Sequence, residues 1–262
     1  MRNRQPQVKK MMQNKDKLVS IITPLYNGER YIRDTIASVQ SQTYKNWEMV
    51  IVDDGSTDDS QNIVMELAAK DQRICYYKNE CNMGVAETRN RAIQLAKGKY
   101  IAFLDSDDLW KNNKLEKQIA WMEEKNSAFC YTACEIIDEM GNTTGKVRHV
   151  PADVDYKMLL KSNVIPCLTV VLDRTKFTSI VMPKLGHEDY ATWLTLLQEC
   201  ERAEGIDEVL ASYRETSSSL SGNKLIAAKW TWHIYRDYLG LSLLESICNF
   251  ISYVLGAFKK RI

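Results

Sequence analysis

The stretch FLDSDDLW, residues 103–110, places three aspartates within four positions directly after an apolar run. Asp105, Asp107 and Asp108 would repel one another at neutral pH unless a cation or hydrogen-bond donors offset their charge. A Mg²⁺ or Mn²⁺ ion is commonly held by one or two carboxylates and completes its shell with substrate phosphates. The crowding therefore favours a metal site at which a phosphorylated ligand binds.

The aspartates also have a purely structural interpretation. Asp often follows a strand, because it starts turns and caps helices. For Asp108 the favoured role is a helix cap or a supporting position, since LWKNNKLEKQIAWM is typical of a helix. Capping is also the favoured role of Asp58 and Asp59. An Asp-x-Asp pair by itself is a weak signal for a metal.

Apolar runs alternate with helical patterns through the first half of the chain. The predicted strands are 18–26, 47–54, 73–79 and 100–108, and the predicted helices are 30–42, 55–70 (capped by Ser56 or Thr57), 84–98 and 108–125. This alternation predicts an α/β fold with a parallel, doubly wound sheet whose apolar strands are buried on both faces. Further along, strands are predicted at 128–138 and 167–173, and a helix at 188–200.

Two of the predicted strands end in acid, at Asp53 and Asp54 and at Asp105 and Asp107. Ligands of open α/β sheets bind outside the carboxyl ends of the strands, so both acidic ends are expected to face one crevice. Neither GxGxxG nor GxxxxGK[ST] follows the first strand. Metal and carboxylates are therefore the favoured means of holding phosphates.

Composition narrows the class of protein. The formal net charge is +1, which gives no indication of nucleic acid as a partner. The seven cysteines are odd in number and lack CxxC spacing, which favours reduced thiols in the cytoplasm over disulfides or a zinc site. No apolar signal-peptide core is present near the N-terminus, where residues 1–16 form a basic tail.

The C-terminal segment has a different character. From Leu239 to Phe258 the only charged residue is Glu245, and polar and apolar positions separate at helical spacing. The pattern predicts an amphipathic helix followed by the basic residues Lys259, Lys260 and Arg261. Such a helix is a candidate for lying on the surface of an anionic membrane. The alternative is a helix packed on the domain.

Three longer stretches resemble one enzyme family when taken together. They are VSIITPLYNGERYIRDTIASVQSQTYKNWEMVIVDDGSTDDS, NMGVAETRNRAIQLAKGKYIAFLDSDDLW and HEDYATWL, in that order. Across roughly residues 17–215 the chain is similar to family 2 glycosyltransferases, which have the Rossmann-like GT-A fold. Among these it resembles bacterial enzymes of surface-polysaccharide synthesis, including the teichuronic acid glycosyltransferases.

The resemblance implies a nucleotide-diphosphate sugar donor, usually UDP-linked, and Mn²⁺ or Mg²⁺. Asp105 would contact the ribose or the metal, and Asp107 would ligate the metal. Asp54 would accept a hydrogen bond from the base, with its neighbour Asp53 as the alternative. The other residues implied at the donor site are Pro24 and Tyr26 at the nucleobase, Gly84 and Arg89 near the nucleotide or sugar, Ser106, and Glu29 as a weaker candidate.

In HEDYATWL the resemblance implies Asp189 as the general base that takes a proton from the acceptor hydroxyl. A single displacement would invert the anomeric carbon. On a helix Glu188 and Asp189 point about 100° apart, so only one should face the crevice. His187, Glu188 and Trp193 are candidates for acceptor contact, although core packing is favoured for Trp193. The acceptor would be a glycan or a lipid-linked glycan.

Other functions remain open at this point. A nucleotidyltransferase can share an acidic metal site but needs a glycine-rich, basic triphosphate loop, which TPLYNGER does not resemble. A sugar-binding module without activity is a further alternative. The expected organisation is a glycosyltransferase domain at 17–218, with nucleotide-sugar half 17–127 and acceptor half 128–218, and a helical segment at 219–262. The expected location is the cytoplasm, at the inner surface of the membrane.

Overall fold

The structure, a computed structural model, describes residues 17–216 and 224–259; for 224–225 and 256–259 it describes the backbone alone. The predicted basic tail at 1–16 lies outside the described residues, as do 217–223 and 260–262.

The first half of the chain alternates strands and helices as the periodicity predicts. Its elements are β1 (Val19–Leu25), α1 (Ile32–Gln40), β2 (Trp47–Asp53), α2 (Ser60–Ala68), β3 (Ile74–Lys78), α3 (Val85–Leu95), β4 (Tyr100–Phe103), β5 (Leu109–Trp110) and α4 (Lys114–Lys125). The largest difference from prediction follows β4. A short strand, β5, replaces the first turns of the predicted helix, so α4 begins only at Lys114 with Asn113 before it.

The second half contains elements that the sequence pattern did not predict. It comprises β6 (Phe129–Ile137), β7 (Thr143–Arg148), β8 (Asp153–Val154), α5 (Tyr156–Lys161), β9 (Val171–Asp173), α6 (Glu188–Leu196), β10 (Ala203–Arg214), α7 (Lys224–His233), a π-helical turn (Ile234–Tyr238) and α8 (Leu243–Lys259). The strand predicted at 167–173 is a 3₁₀ turn followed by β9. The long strand β10 was missed because Glu204, Asp207 and Glu208 interrupt its apolar run.

The ten strands of the described residues belong to one sheet with the order β3-β2-β1-β4-β9-β6-β10-β5, to which β7 and β8 add at β6 and β10. The pairs β1–β2, β1–β4, β2–β3 and β6–β10 are parallel. The strand β9 runs antiparallel between β4 and β6. The predicted doubly wound α/β fold is confirmed.

The sheet is covered on both faces, which explains its nearly continuous apolar strands. Ile22 and Val50 are paired neighbours on β1 and β2 and belong to one hydrophobic core, which residues of α3 and α6 complete. Ile21 and Met49 are the next pair and belong to the second core, beneath α1, α2 and α4. Alternate residues of the same strand therefore serve opposite cores.

The topology brings the functional candidates of the first half to one edge. Because β2 and β4 both flank β1 in parallel, the residues that follow the three strands lie at the same end of the sheet. Tyr26 follows β1, Asp54 follows β2, and Leu104 and Asp105 follow β4. The topology confirms that the two acidic strand ends lie at one edge of the sheet.

The predicted cap of α2 by Ser56 or Thr57 is wrong. This helix begins at Ser60, and its N-cap residue Asp59 makes no side-chain capping hydrogen bond. The hydroxyls of Ser56 and Ser60 instead accept from the backbone N–H groups of Asn27 and Gly28, at 3.0 and 2.8 Å. These serines hold the loop after β1 against the loop after β2, so a signal that resembled capping serves a tertiary contact.

The C-terminal helical segment shares a core with α6. Ile234 and Tyr235 are fully buried in the same core as Tyr190 and Trp193 of α6. Within the described part of the chain, no helix combines the length and apolar character needed to span a membrane. The division of the chain into 17–127, 128–218 and 219–262 stays a prediction.

A lysine side chain is buried beside the second core of the sheet. Lys114, at the start of α4, has no exposed surface. Its Nζ donates to Oε1 of Gln118 at 2.6 Å and lies 4.1 Å from the centre of the Trp110 ring. Burial lowers the pKa of Lys114 to about 7, because the interior disfavours the charged ammonium.

The free energy of unfolding should depend on pH because Lys114 titrates at a different pH in the folded and unfolded chain. Between about pH 7 and 10 the unfolded chain binds more protons than the folded chain at this site, so the free energy of unfolding should rise with pH. Lys114→Met should stabilise the protein by about 1–2 kcal/mol near pH 6, where most of the buried amine is charged. Near pH 9 the amine is neutral, and the substitution should stabilise the protein little because it removes the hydrogen-bond donor of Gln118. Urea denaturation at the two pH values measures this.

Lys117→Met is the matched control, because the Lys117 side chain is 40% exposed on the same helix and pairs with Glu208 at the surface. It should change stability equally at both pH values. An equal effect of Lys114→Met at pH 6 and pH 9 would show that the buried amine does not titrate in this range.

Candidate active site

The loop after β1 presents an aromatic ring at the edge of the sheet. Tyr26 is 52% exposed, whereas Pro24 and Leu25 before it are buried within β1. Asn27 has the left-handed φ of 48°, and its side-chain oxygen accepts from the backbone N–H of Thr57 at 2.9 Å. The loop is thereby fixed while the Tyr26 ring stays free to stack on a ligand.

The two aspartates at the end of β2 are both buried and serve different loops. Asp53 accepts from the backbone N–H of Ser56 and from the hydroxyl of Tyr76, each at 2.7 Å. Asp54 accepts from the side chain of Asn79 at 2.7 Å and from the backbone N–H groups of Met83 and Gly84 at 2.9 and 2.8 Å.

Asp54 therefore shapes the loop that leads into α3. Burial by itself would raise the pKa of Asp54, but the hydrogen bonds from Met83, Asn79 and Gly84 outweigh it and lower the pKa. Gly84 has a φ of 89°, and no protein atom lies within 4 Å of the place where a Cβ would stand. A glycine at this position suits both the backbone conformation and the close approach of a ligand.

A buried arginine connects the two halves of the candidate site. Arg89, on α3, donates through Nη2 to Oδ1 of Asp105 at 2.6 Å and through Nη1 to Oε1 of Glu188 at 2.5 Å. Asp105 follows β4, and Glu188 is the first residue of α6. The Asp-x-Asp stretch and HEDYATWL, 83 positions apart from Asp105 to Glu188, thus meet at one guanidinium.

The negative charges of Asp105 and Glu188 outnumber the single positive charge of Arg89. Burial would lower the pKa of Arg89, but the charges of Asp105 and Glu188 raise it well above its ordinary value, so the guanidinium remains protonated. Its Nε is buried and has no hydrogen-bond partner among the described residues. Two carboxylates share one cation, which leaves a net negative charge at the edge of the sheet.

Asp107 lies in the same crowded acidic environment. Burial and the charge of Asp105 raise the pKa of Asp107 to about 6, although Arg214 and Arg89 act in the opposite direction. Its backbone carbonyl accepts from Nε of Arg214 at 2.7 Å. A carboxyl group whose ionisation is disfavoured by its neighbours is suited to binding a cation.

Asp108 is not a helix cap, because α4 begins six positions later at Lys114. Only 1% of its surface is exposed, and its Oδ1 accepts from the backbone N–H of Arg214 at 2.8 Å. Burial and the charges of Asp107 and Asp105 raise its pKa. The alternative of a supporting position fits, since Asp108 joins the acidic loop to the end of β10.

Asp189 occupies the first turn of α6 beside the Arg89 pair. Its side-chain Oδ1 accepts from the backbone N–H of Tyr190 at 2.7 Å. Burial and the charge of Glu188 raise the pKa of Asp189 to about 6, while Arg89 acts against this rise. Of the two neighbouring carboxylates, Glu188 is held by Arg89 and Asp189 is not, as the helical offset predicts.

His187, the N-cap residue just before α6, has a left-handed conformation with a φ of 58°. Its ring meets the Trp230 ring edge-on, with 5.2 Å between the ring centres. The His187 Nε2 is buried without a hydrogen-bond partner among the described residues, and burial lowers the His187 pKa. Gly186 packs so closely on Trp230 that an added Cβ would lie 2.0 Å from its ring. Trp230 of α7 therefore fixes the start of the helix that carries Asp189.

Trp193 does not contact an acceptor. Its side chain has no exposed surface and packs edge-on against Phe103 and Phe129, with ring centres 5.4 and 5.3 Å apart. The expectation of acceptor contact is therefore wrong, and the favoured alternative of core packing is confirmed.

Two further candidates, Glu29 and Ser106, are hydrogen-bonded to neighbouring loops or helices. A carboxylate oxygen of Glu29 accepts from the backbone N–H of Asp59 at 2.8 Å. The carbonyl of Ser106 accepts from the hydroxyl of Thr35 at 3.0 Å. Both residues stabilise loops around the site, and their predicted roles at the donor stay predictions.

Sequence reasoning missed two residues near the acidic loop. Arg214, the last residue of β10, contacts Asp107 and Asp108 and lies over the Tyr31 ring, with 4.5 Å from Cζ to the ring centre. Cys167 is partly buried beside the site, and burial raises its pKa strongly. No local signal marks either residue, because their partners are distant in the chain.

Comparison with known proteins identifies the family and the fold. The family model described as "Glycosyl transferase family 2" matches residues 20–179. The chain belongs to this family. The enzyme shares 43% identity over 252 residues with a putative teichuronic acid biosynthesis glycosyltransferase, TuaG, of Bacillus subtilis, covering 96% of this chain and 100% of that protein.

A second relative of the glycosyltransferase is named more specifically. This is the Escherichia coli UDP-Glc:alpha-D-GlcNAc-diphosphoundecaprenol beta-1,3-glucosyltransferase WfgD, with 41% identity over 246 residues. The match covers 94% of this chain and 95% of the relative.

Solved structures confirm the fold of the glycosyltransferase. Residues 1–349 of Staphylococcus aureus TarS in complex with UDP-GlcNAc match with a TM-score of 0.68 and 21% identity, over 84% of this chain and 64% of that one. The mannosyltransferase PcManGT of Pyrobaculum calidifontis, with GDP-Man and Mn²⁺, matches with a TM-score of 0.64 and 16% identity, over 89% and 68%. The predicted GT-A fold is confirmed.

The Arg89 bridge can be tested through stability. Arg89→Gln leaves Asp105 and Glu188 facing each other without a cation, and the free energy of unfolding should fall by about 3 kcal/mol at pH 7. The loss should shrink at acid pH, where the carboxylates bind protons. Arg89→Lys should lie between the wild type and Arg89→Gln, because one ammonium does not reproduce the two-pronged contact.

Arg33→Gln is the control, since Arg33 forms a single exposed ion pair with Glu66. It should cost less than about 1 kcal/mol. Urea denaturation of all four proteins decides the matter, and equal losses for Arg89→Gln and Arg33→Gln would remove the bridge as a structural constraint.

Proposed function

We propose that the protein is an inverting, metal-dependent hexosyltransferase. It transfers a sugar from a nucleotide-diphosphate sugar, UDP-linked, to a hydroxyl of a glycan or lipid-linked glycan in the synthesis of bacterial surface polysaccharide. The observation that carries the proposal is the Asp105–Arg89–Glu188 chain, which sets Asp189 beside the acidic strand ends. The donor diphosphate and the general base that acts on the acceptor hydroxyl would thus lie in one crevice.

The donor is proposed to bind along the edge formed by β1, β2 and β4. The exposed Tyr26 ring would stack on the base, with Pro24 behind it in the strand. Asp54, or its neighbour Asp53, would accept from the base, while Asp54 also holds Met83 and Gly84 in place. The open space at Gly84 would admit the nucleotide or sugar.

Asp105 and Asp107 are the proposed metal ligands. Among the described residues, no three His, Cys, Asp or Glu side chains stand close enough to hold a metal by themselves. Two aspartates suffice for Mg²⁺ or Mn²⁺, which bind through one or two carboxylates and take further oxygens from substrate phosphates. The raised pKa of Asp107 reflects a negative charge that such a cation would offset. When bound, the ion would neutralise charge on the leaving diphosphate.

The transfer step follows from the place of Asp189. Its carboxylate takes the proton of the acceptor hydroxyl while the hydroxyl oxygen forms a bond to the anomeric carbon. The bond from that carbon to the diphosphate breaks, and its electron pair leaves with the diphosphate. Attack from the face opposite the leaving group inverts the anomeric configuration. Arg89 and Glu188 keep α6 in position for this step.

The acceptor is proposed to be carried by a lipid at the inner face of the membrane. The name of the relative WfgD specifies UDP-Glc as donor and a diphosphoundecaprenol-linked GlcNAc as acceptor. His187 and Glu188 are the proposed acceptor contacts.

Removal of the base tests the proposal most directly. Asp189→Asn should lower kcat for transfer by about a thousandfold while leaving the affinity for UDP-sugar in the presence of Mn²⁺ within about threefold of wild type. UDP release from a panel of nucleotide sugars, with and without acceptor, measures the first effect, and calorimetry measures the second.

Asp34→Asn provides the control, because Asp34 is exposed on α1. It should retain full activity. Near-wild-type turnover by Asp189→Asn would reject the base assignment. If the wild type binds UDP-sugars but releases no UDP with any acceptor, the protein is a binding module instead.

The pH dependence of turnover should follow the same carboxylate. Since the pKa of Asp189 is about 6, the base becomes protonated and inactive below this value. At saturating donor and metal, kcat should fall about tenfold for each pH unit below about 6 and reach a plateau above about 7. A flat profile between about pH 5 and 8 would show that a different group accepts the proton.

A further inference from the structure

The C-terminal helix α8 exposes apolar side chains along one side. Leu243, Leu244, Ile247, Ile251 and Leu255 are 57%, 72%, 39%, 53% and 57% exposed. Their spacing of one, three and four positions places them on a single arc of the helix surface. We call these five residues the α8 stripe. A contiguous exposed apolar surface of this kind marks an interaction site.

The other side of α8 is seated on the domain. Ser246 is fully buried, and Phe250 and Tyr253 pack against the core. The Phe250 ring meets Trp232 of the preceding helix edge-on, with 5.5 Å between ring centres. The helix therefore packs on the domain and also presents an apolar face, so the two alternatives considered from the sequence do not exclude each other.

Two exposed lysines lie on the helix that packs beside the stripe. The helix α5, which packs beside α8, carries Lys157 and Lys161 at exposed positions, with Met158 46% exposed between them. In the sequence, Lys259, Lys260 and Arg261 follow the stripe. The one acidic residue of α8, Glu245, stands in its first turn and binds the backbone N–H of Ser242 at 3.0 Å.

Apolar side chains bordered by lysines match the surface of an anionic bilayer. A second copy of the chain fits less well, because pairing the stripe with itself would bring the same lysines together. We propose that the α8 stripe, with Lys157 and Lys161, binds the surface of an anionic phospholipid bilayer, with α8 lying in the membrane plane. The proposal rests on the proposed function only for the lipid-linked acceptor that gives the site a reason to face a membrane.

The bound surface would orient the catalytic helix. Tyr190, the neighbour of Asp189, donates its hydroxyl to the carbonyl of Leu159 on α5 at 3.0 Å. Its ring faces Tyr253 of α8, with 6.1 Å between ring centres. The two helices that carry the stripe and the lysines thus both contact α6. Docking would fix the direction in which the acceptor side of the crevice faces the bilayer.

The test is sedimentation of the full chain with vesicles of phosphatidylcholine alone or mixed with phosphatidylglycerol. The wild type should bind the mixed vesicles at least tenfold more strongly than the neutral ones. The triple variant Leu244→Ser, Ile247→Ser, Ile251→Ser should lose about tenfold or more of this binding, as should Lys157→Glu with Lys161→Glu.

The matched control is Met65→Ser, Met140→Ser and Val147→Ser, which removes three exposed apolar side chains elsewhere on the surface. It should bind like the wild type. Equal binding by the stripe variant and this control would overturn the proposal. The proposal would also be overturned if the wild type did not bind vesicles but formed a dimer in ultracentrifugation that the stripe variant does not form.

Transfer to a water-soluble acceptor separates this proposal from the proposed function. The stripe variant should keep its wild-type rate on such an acceptor and lose rate only on an acceptor embedded in vesicles. If the wild type binds vesicles but transfers no sugar, the docking surface stands and the proposed function fails. If it transfers sugar but does not bind vesicles, the docking proposal fails alone.

Discussion

The arrangement of the site depends on one buried guanidinium. Arg89 has little exposed surface, and such a charge is tolerated in a protein interior only when it is paired and hydrogen-bonded. Its two partners, Asp105 and Glu188, come from opposite halves of the chain. Because the loss of either carboxylate would remove one of the two ion pairs that offset the buried charge, the two contacts fix α6 relative to the end of β4. The position of Asp189 follows from this contact, since it is the next residue on the helix.

The sheet supplies the second condition. Parallel pairing of β1 with β2 and β4 brings Tyr26, Asp54 and Asp105 to one edge, and burial of both faces keeps these strands from shifting in register. Loops at this edge are then tied down by buried side chains: Asp54 holds the turn before α3, and Asp108 holds the acidic loop to β10. Negative charge remains at the edge, which is the property that a metal and a diphosphate would use.

The C-terminal helices belong to this same arrangement. Trp230 lies directly on Gly186, Tyr235 shares a hydrogen bond with Tyr190, and Tyr253 covers the Tyr190 ring. The segment that reads in sequence as a separate appendage therefore supports the helix of the candidate base. Its apolar outer side is exposed because the inner side already satisfies the packing of α8.

The sequence by itself determined the alternating elements of the first half and the acidic strand ends, because periodicity and strand ends are local properties. The candidate base Asp189 was implied only by the resemblance of HEDYATWL to family 2 glycosyltransferases. It also suggested a packed Trp193 and an amphipathic last helix. Only the tertiary structure decided that Glu188 binds Arg89 and leaves Asp189 free, that Asp108 serves β10 instead of a helix, and that β9 runs antiparallel between β4 and β6. The Arg89–Glu188 and Asp108–Arg214 contacts join residues 99 and 106 positions apart, and β9 likewise pairs with strands distant in the chain. Their energy comes from desolvated charges and register, neither of which leaves a local pattern in the chain.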